Sequence, residues 1–106
     1  VWLRDSDVTA ARKIAAAIRG SSLRALGLQV GDRVQVSMNL INPMELGPFQ
    51  AFDAVSELTQ TEGAELVGLI PQAVLDAIPP SRWKQLDVSS EQTIEFRLAE
   101  RAPRRN

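Results

Sequence analysis

From Gln35 to Leu40 the sequence alternates polar and apolar without a break. A strand with one face in a core answers this period: Val36, Met38 and Leu40 point one way, and Gln35, Ser37 and Asn39 the other. A chain holding such a strand builds a sheet with one covered face and a second face left for something else. That second row reads amide, hydroxyl, amide. Such groups both donate and accept hydrogen bonds, which suits a polar ligand and equally suits a wet sheet face.

At 106 residues the chain is one domain, residues 1–106, large enough for a core of its own. It contains no cysteine and no histidine. Disulfides, thiolate metal sites and histidine-based triads or zinc sites are therefore excluded within it. A net charge of −1 lacks the basic excess of a nucleic-acid binder. Arg97, Arg101, Arg104 and Arg105 gather late, around Pro103, and read as a solvated terminus. No apolar run approaches the ~20 residues of a membrane span, and no secretory leader is recognisable, so a cytoplasmic protein is expected. Val1-Trp2-Leu3 reads as the end of a strand without a polar lead-in, as in a fragment of a longer protein.

The elements follow from periodicity and breakers. Val1 to Arg4 is a short strand. Asp5-Ser6-Asp7 offers N-caps for a helix carrying Val8, Ala11, Ile14, Ala15 and Ile18, closed by Gly20. Leu23 to Val30 and Arg33 to Leu40 are strands joined through Gly31-Asp32. Pro48 opens a helix with Phe49, Phe52, Val55 and Leu58 on its apolar stripe, ended by Gly63. Ala64 to Ile70 is the fourth strand. Pro71 opens a short helix to Ile78, which Pro79-Pro80 breaks, and Trp83 lies in a connection. Ser89 or Ser90 caps a last helix, with Gln92 placed for a capping box on Ser89 and Ile94 and Leu98 as its contact pair. The order strand, helix, strand, strand, helix, strand predicts an α+β, ferredoxin-like βαββαβ sandwich with an antiparallel sheet and a C-terminal helical appendage.

The expected fourth strand is apolar on both faces, with Leu66 and Ile70 on one and Val67 and Leu69 on the other. Leaving the second pair wet forgoes ~1.5–3 kcal/mol of burial each, so a cover is expected over part of the second face. A trailing helix, a second copy or a neighbouring domain would each serve. Glu65 heads this strand, either as a solvated carboxylate or at the rim of a cleft where it holds a cation or assists a proton transfer. Gly68 marks close backbone approach by a ligand or a bulge.

The run Val34-Gln35-Val36-Ser37-Met38-Asn39-Leu40, a helix, and then Glu65-Leu66-Val67-Gly68-Leu69-Ile70-Pro71 leading into Ala73-Val74-Leu75 resembles the C-terminal subdomain of glutamate formimidoyltransferase. The opening helix, with Ala11-Arg12-Lys13-Ile14-Ala15, and the close at Glu91 to Leu98 are similar too. The resemblance implies a formiminotransferase unit of two ferredoxin-like subdomains, with tetrahydrofolate bound in the tunnel between their sheets. It implies transfer of a formimidoyl group between glutamate and tetrahydrofolate in histidine degradation. The catalytic histidine belongs to the N-terminal subdomain, so no catalytic residue is expected in this chain and the chain alone is expected to be inactive. Gln35, Ser37, Asn39, Glu65 and Gly68 become the ligand-binding candidates, with no metal. The first strand is shorter than in that family, and the Gly20–Leu23 link lacks its glycine-rich stretch.

Two other readings stay open: a non-catalytic ferredoxin-like module that binds a small effector or pairs sheet to sheet, and a structural homodimerisation domain.

Overall fold

The computed structural model describes residues 1–101. Arg104, Arg105 and the side chain of Arg101 lie outside the described residues. Among the described residues the fold is α+β, with a four-stranded antiparallel sheet and five α-helices. In chain order these are β1 (Trp2–Leu3), α1 (Val8–Ile18), β2 (Leu23–Val30), β3 (Arg33–Leu40), α2 (Pro48–Ser56), β4 (Thr61–Gly63), α3 (Gln72–Asp76), α4 (Trp83–Leu86) and α5 (Ile94–Arg101). The strands lie in the order β2-β3-β1-β4.

β2 and β3 form the backbone of the sheet, in unbroken register from Leu23↔Leu40 to Val30↔Arg33. α1 starts where the Asp7 carboxylate accepts the Ala10 N–H at 2.8 Å. Its buried side chains are Ala11, Ile14 and Ala15. Two alanines in that set let the helix axis sit close to the sheet. Ala25, Val34, Val36 and Leu3 meet them from the strands, and Val55 joins from α2. The alternation around Val36 therefore settles as expected, with Val34 and Val36 inward.

A second cluster holds the C-terminal helices: Ile70, Val74, Leu75, Ile78, Leu86 and Val88 pack on Phe52 of α2. Phe52 and Val55 are three residues apart, hence neighbours on one helix face. α2 thus belongs to both clusters and couples the sheet to the helical segment.

Several boundaries depart from the sequence reading. α2 stops at Ser56 and leaves Leu58 exposed. Leu58 and Thr59 both donate to the Val55 carbonyl, so the last turn tightens and unwinds before Leu58 can join the stripe. The fourth strand is Thr61–Gly63, ahead of the expected span from Ala64 to Ile70. Its register, Leu3↔Thr61 and Trp2↔Gly63, does not extend into the residues that follow. Their backbone donors turn instead to the helical segment: Ala64 to the Gln85 carbonyl, Leu66 to the Asp87 carboxylate and Ile70 to the Gln92 carbonyl. α3 is shorter than expected, and Trp83 opens a helical turn where a connection was expected. α5 is capped by neither Ser89 nor Ser90. Thr93 does this, its hydroxyl accepting the Phe96 N–H at 3.1 Å, while Ser89 bonds the Gln92 side chain.

Among the described residues no helix is long and apolar enough to cross a membrane.

Candidate functional site

The helices packed on the sheet occupy the side of Val34 and Val36. The opposite side is built by β3 and its neighbours. Arg24 stands opposite Asn39, Leu26 opposite Ser37 and Leu28 opposite Gln35. On the other flank Trp2 pairs with Gln35. Period-two geometry puts all of these on one face. A polar row, Gln35-Ser37-Asn39, therefore runs between the exposed Leu26 and Leu28 on one side and Trp2 on the other.

None of the three polar side chains takes part in a hydrogen bond among the described residues, so their donors and acceptors are free for a ligand or water. A shallow depression of about 420 Å³ is lined by Arg24, Leu26, Ser37 and Asn39 of this face together with Arg19 and with Ala25 and Met38, which belong to the helix side of the sheet.

At the other end of the row the charges are already paired. The Arg33 guanidinium lies 3.9 Å from the centroid of the Trp2 ring. It also reaches Glu62 at 3.4 Å, and Arg4 approaches the same carboxylate at 4.0 Å. Glu62 is thus neutralised by two arginines on a half-wet surface. Among the described residues no group of three or more carboxylates converges as a metal site requires.

Glu65 and Gly68 stand apart from this row. Both lie in the irregular segment after β4, which forms no ladder with β3. Glu65 is within Coulombic reach of the Val1 nitrogen, and so stands beside β1. Gly68 has φ +90°, and a Cβ there would meet nothing within 4 Å. Its positive φ calls for glycine, and it marks no bulge in a ladder. The two-sided character of the segment survives without the strand: Ile70 is buried and Leu66 packs on the second cluster, while Val67 is 88% exposed.

The sequence reading passed over Trp2, Arg33, Glu62 and the exposed leucines of β2. The signal was available in β2, which is apolar on both faces: Leu23 and Ala25 are buried, and Leu26, Leu28 and Val30 are exposed. The partnership of Trp2, Arg33 and Glu62 joins three strands and had no local signature.

Comparison with protein-family models, curated proteins and solved structures gave no match.

Proposed function

We propose that the open face of this sheet is one wall of a ligand cleft, and that the chain is the C-terminal subdomain of a folate-dependent glutamate formimidoyltransferase-like enzyme. The observation that carries this reading is the polar row Gln35-Ser37-Asn39, unbonded and flanked by exposed Leu26 and Leu28. An apolar wall bearing a few free polar groups is what a tetrahydrofolate-binding tunnel between two subdomains would need. The resemblance of the β3 run and of residues 65–71 supplies the family. The strand order β2-β3-β1-β4 supports the ferredoxin-like arrangement that the family implies.

In this reading Gln35, Ser37 and Asn39 hydrogen-bond tetrahydrofolate. Glu65 lines the rim beside β1, with Gly68 further along the same segment. The glutamate-type substrate meets the cofactor in the same cleft, in the cytoplasm, as a step of histidine degradation. The chain has no histidine, so the general acid or base comes from the N-terminal subdomain across the cleft. A second reading, a non-catalytic module that pairs sheet to sheet, is favoured by the exposure of Leu26 and Val30.

Calorimetry of the full-length protein with tetrahydrofolate tests the choice. The Ser37→Ala, Asn39→Ala double variant should bind about tenfold or more weakly, the scale of one or two lost hydrogen bonds. Unchanged affinity in a folded double variant removes these residues from the site. Absence of tetrahydrofolate binding by the unmodified protein favours the module.

A further inference from the structure

The turn at Ser21-Ser22 sets two arginines side by side. Gly20 and Leu23 exchange backbone hydrogen bonds across it, at 3.0 and 3.4 Å, as an antiparallel pair. The next pair outward is Arg19 with Arg24. In such a pair, which shares no backbone hydrogen bonds, the side chains stand closest. Arg19 ends α1 in extended backbone, φ −60° and ψ 141°, so it follows the alternation of a strand. Leu23 and Ala25 are buried on the helix side, which turns Arg24, and Arg19 beside it, to the open face. Asn39 stands on the other side of Arg24. One row across the sheet is therefore Arg19, Arg24 and Asn39, and Leu26 with Ser37 forms the next. All five line the 420 Å³ depression. Ala25 and Met38 turn their side chains to the helices, so they supply main chain to its floor.

Like charges placed directly opposite each other destabilise a sheet, and no carboxylate relieves this pair. Arg4, Arg33, Arg82 and Arg97 each have an acidic partner within 4.0 Å; among the described residues Arg19 and Arg24 have none. From Val8 to Gly31 the sequence holds Arg12, Lys13, Arg19 and Arg24 and no acidic residue, in a chain of net charge −1. Glu45 reaches the turn, where it accepts the Ser22 hydroxyl at 3.4 Å, and pairs with neither arginine.

We infer that this depression is an oxyanion site: Arg19 and Arg24 hold a phosphate or carboxylate group of a small ligand, and Ser37 and Asn39 complete its hydrogen bonds. Two guanidinium forks with a hydroxyl and an amide suit a group of several acceptor oxygens and full negative charge. The bound charge also offsets the repulsion between the arginines. The site shares Ser37 and Asn39 with the proposed cleft, but it rests on charge and placement and holds whether or not the ligand is a folate. It gives the polar row a direction. Arg33, at the far end, is already paired with Glu62, so a ligand with one acidic end lays that end at Arg24.

Nuclear magnetic resonance titration of the protein tests the site, with inorganic phosphate and with glutarate, each at physiological ionic strength held constant with chloride. Saturable shifts are expected at Arg19, Arg24, Ser37 and Asn39 with one anion or both, and the tighter of the two names the acid group of the ligand. An Arg19→Ala, Arg24→Ala double variant should bind about tenfold or more weakly, the scale of lost hydrogen bonds to a charged group. Arg12→Ala, Lys13→Ala removes the same charge from α1, about 10 Å along the helix and about a Debye length away, and should cost no more than about twofold. Absence of saturable shifts with both anions overturns the proposal, and does so even where tetrahydrofolate binds. So does a folded Arg19, Arg24 variant that binds like the parent. Equal losses in the two double variants mark a diffuse ion atmosphere and overturn it as well. Where circular dichroism finds the Arg19, Arg24 variant unfolded, Arg24→Gln alone decides.

Discussion

Gly27 lies directly against the backbone of Arg12: a Cβ on the glycine would collide with the Arg12 nitrogen. The obstacle is main chain, so no rotamer change relieves it. Glycine within a strand here marks a helix packed down onto the sheet. Gly27→Ala should push α1 off β2 and cost about 2–3 kcal/mol. Urea denaturation should show a lower midpoint with an unchanged slope.

The Arg82–Asp53 pair ties α2 to the helical segment. Nη2 donates to Oδ1 at 2.6 Å and Nη1 to Oδ2 at 3.3 Å, while Nε donates to Gln85 at 2.9 Å. The hydrogen bond to Asp53 raises the Arg82 pKa above its ordinary guanidinium value. A raised pKa gives stability that is complete below the unfolded value and lost only as pH rises through the folded one. Both lie in strong alkali, so the arginine's contribution is flat across the neutral range. Arg82→Lys keeps the charge and loses the fork. It should cost about 0.5–1 kcal/mol, less at high salt because the pair is partly exposed. Thermal melts at two ionic strengths check this.

Thr93 is fully buried and holds two partners at once. Its hydroxyl donates to the Ser90 carbonyl and accepts the Phe96 N–H, each at 3.1 Å. Thr93→Val preserves shape and strands both groups. It should cost about 1–2 kcal/mol and fray α5, with Thr93→Ser recovering most of the loss. Exchange at the Phe96 amide is the direct readout.

Arg33 stacked on Trp2 gives the open face an optical reporter. Arg33→Ala should uncover the indole, shift Trp2 emission to the red and cost about 0.5–1 kcal/mol. Trp83, whose indole N–H donates to the Ile78 carbonyl at 3.0 Å, should not respond. Spectra of the Arg33→Ala protein with each tryptophan in turn replaced by phenylalanine separate the two.

How much was legible follows from how locally each feature is encoded. The β2–β3 hairpin is adjacent in sequence, and its alternation survives intact from Val34 to Asn39. α1 carries its own cap in Asp7 and its own buried stripe, so its bounds, Val8–Ile18, are those the periodicity marks. The fourth strand was misplaced because residues 64–70 have the composition of a strand. What decided their state was the register with Trp2 and Leu3, about sixty residues away in sequence, and the acceptors at Gln85, Asp87 and Gln92.

The candidate site divides in the same way. The row Gln35, Ser37 and Asn39 could be read from period-two geometry alone, because every second side chain of a strand shares a face whatever surrounds it. Which face the helices would cover, and that Trp2, Arg33 and Glu62 would meet at one end of the row, depended on pairings between distant strands. Sequence by itself therefore determined the strand and its two rows. Tertiary structure decided that the polar row stays open, because α1 packs its small residues on the Val34 and Val36 side of the sheet.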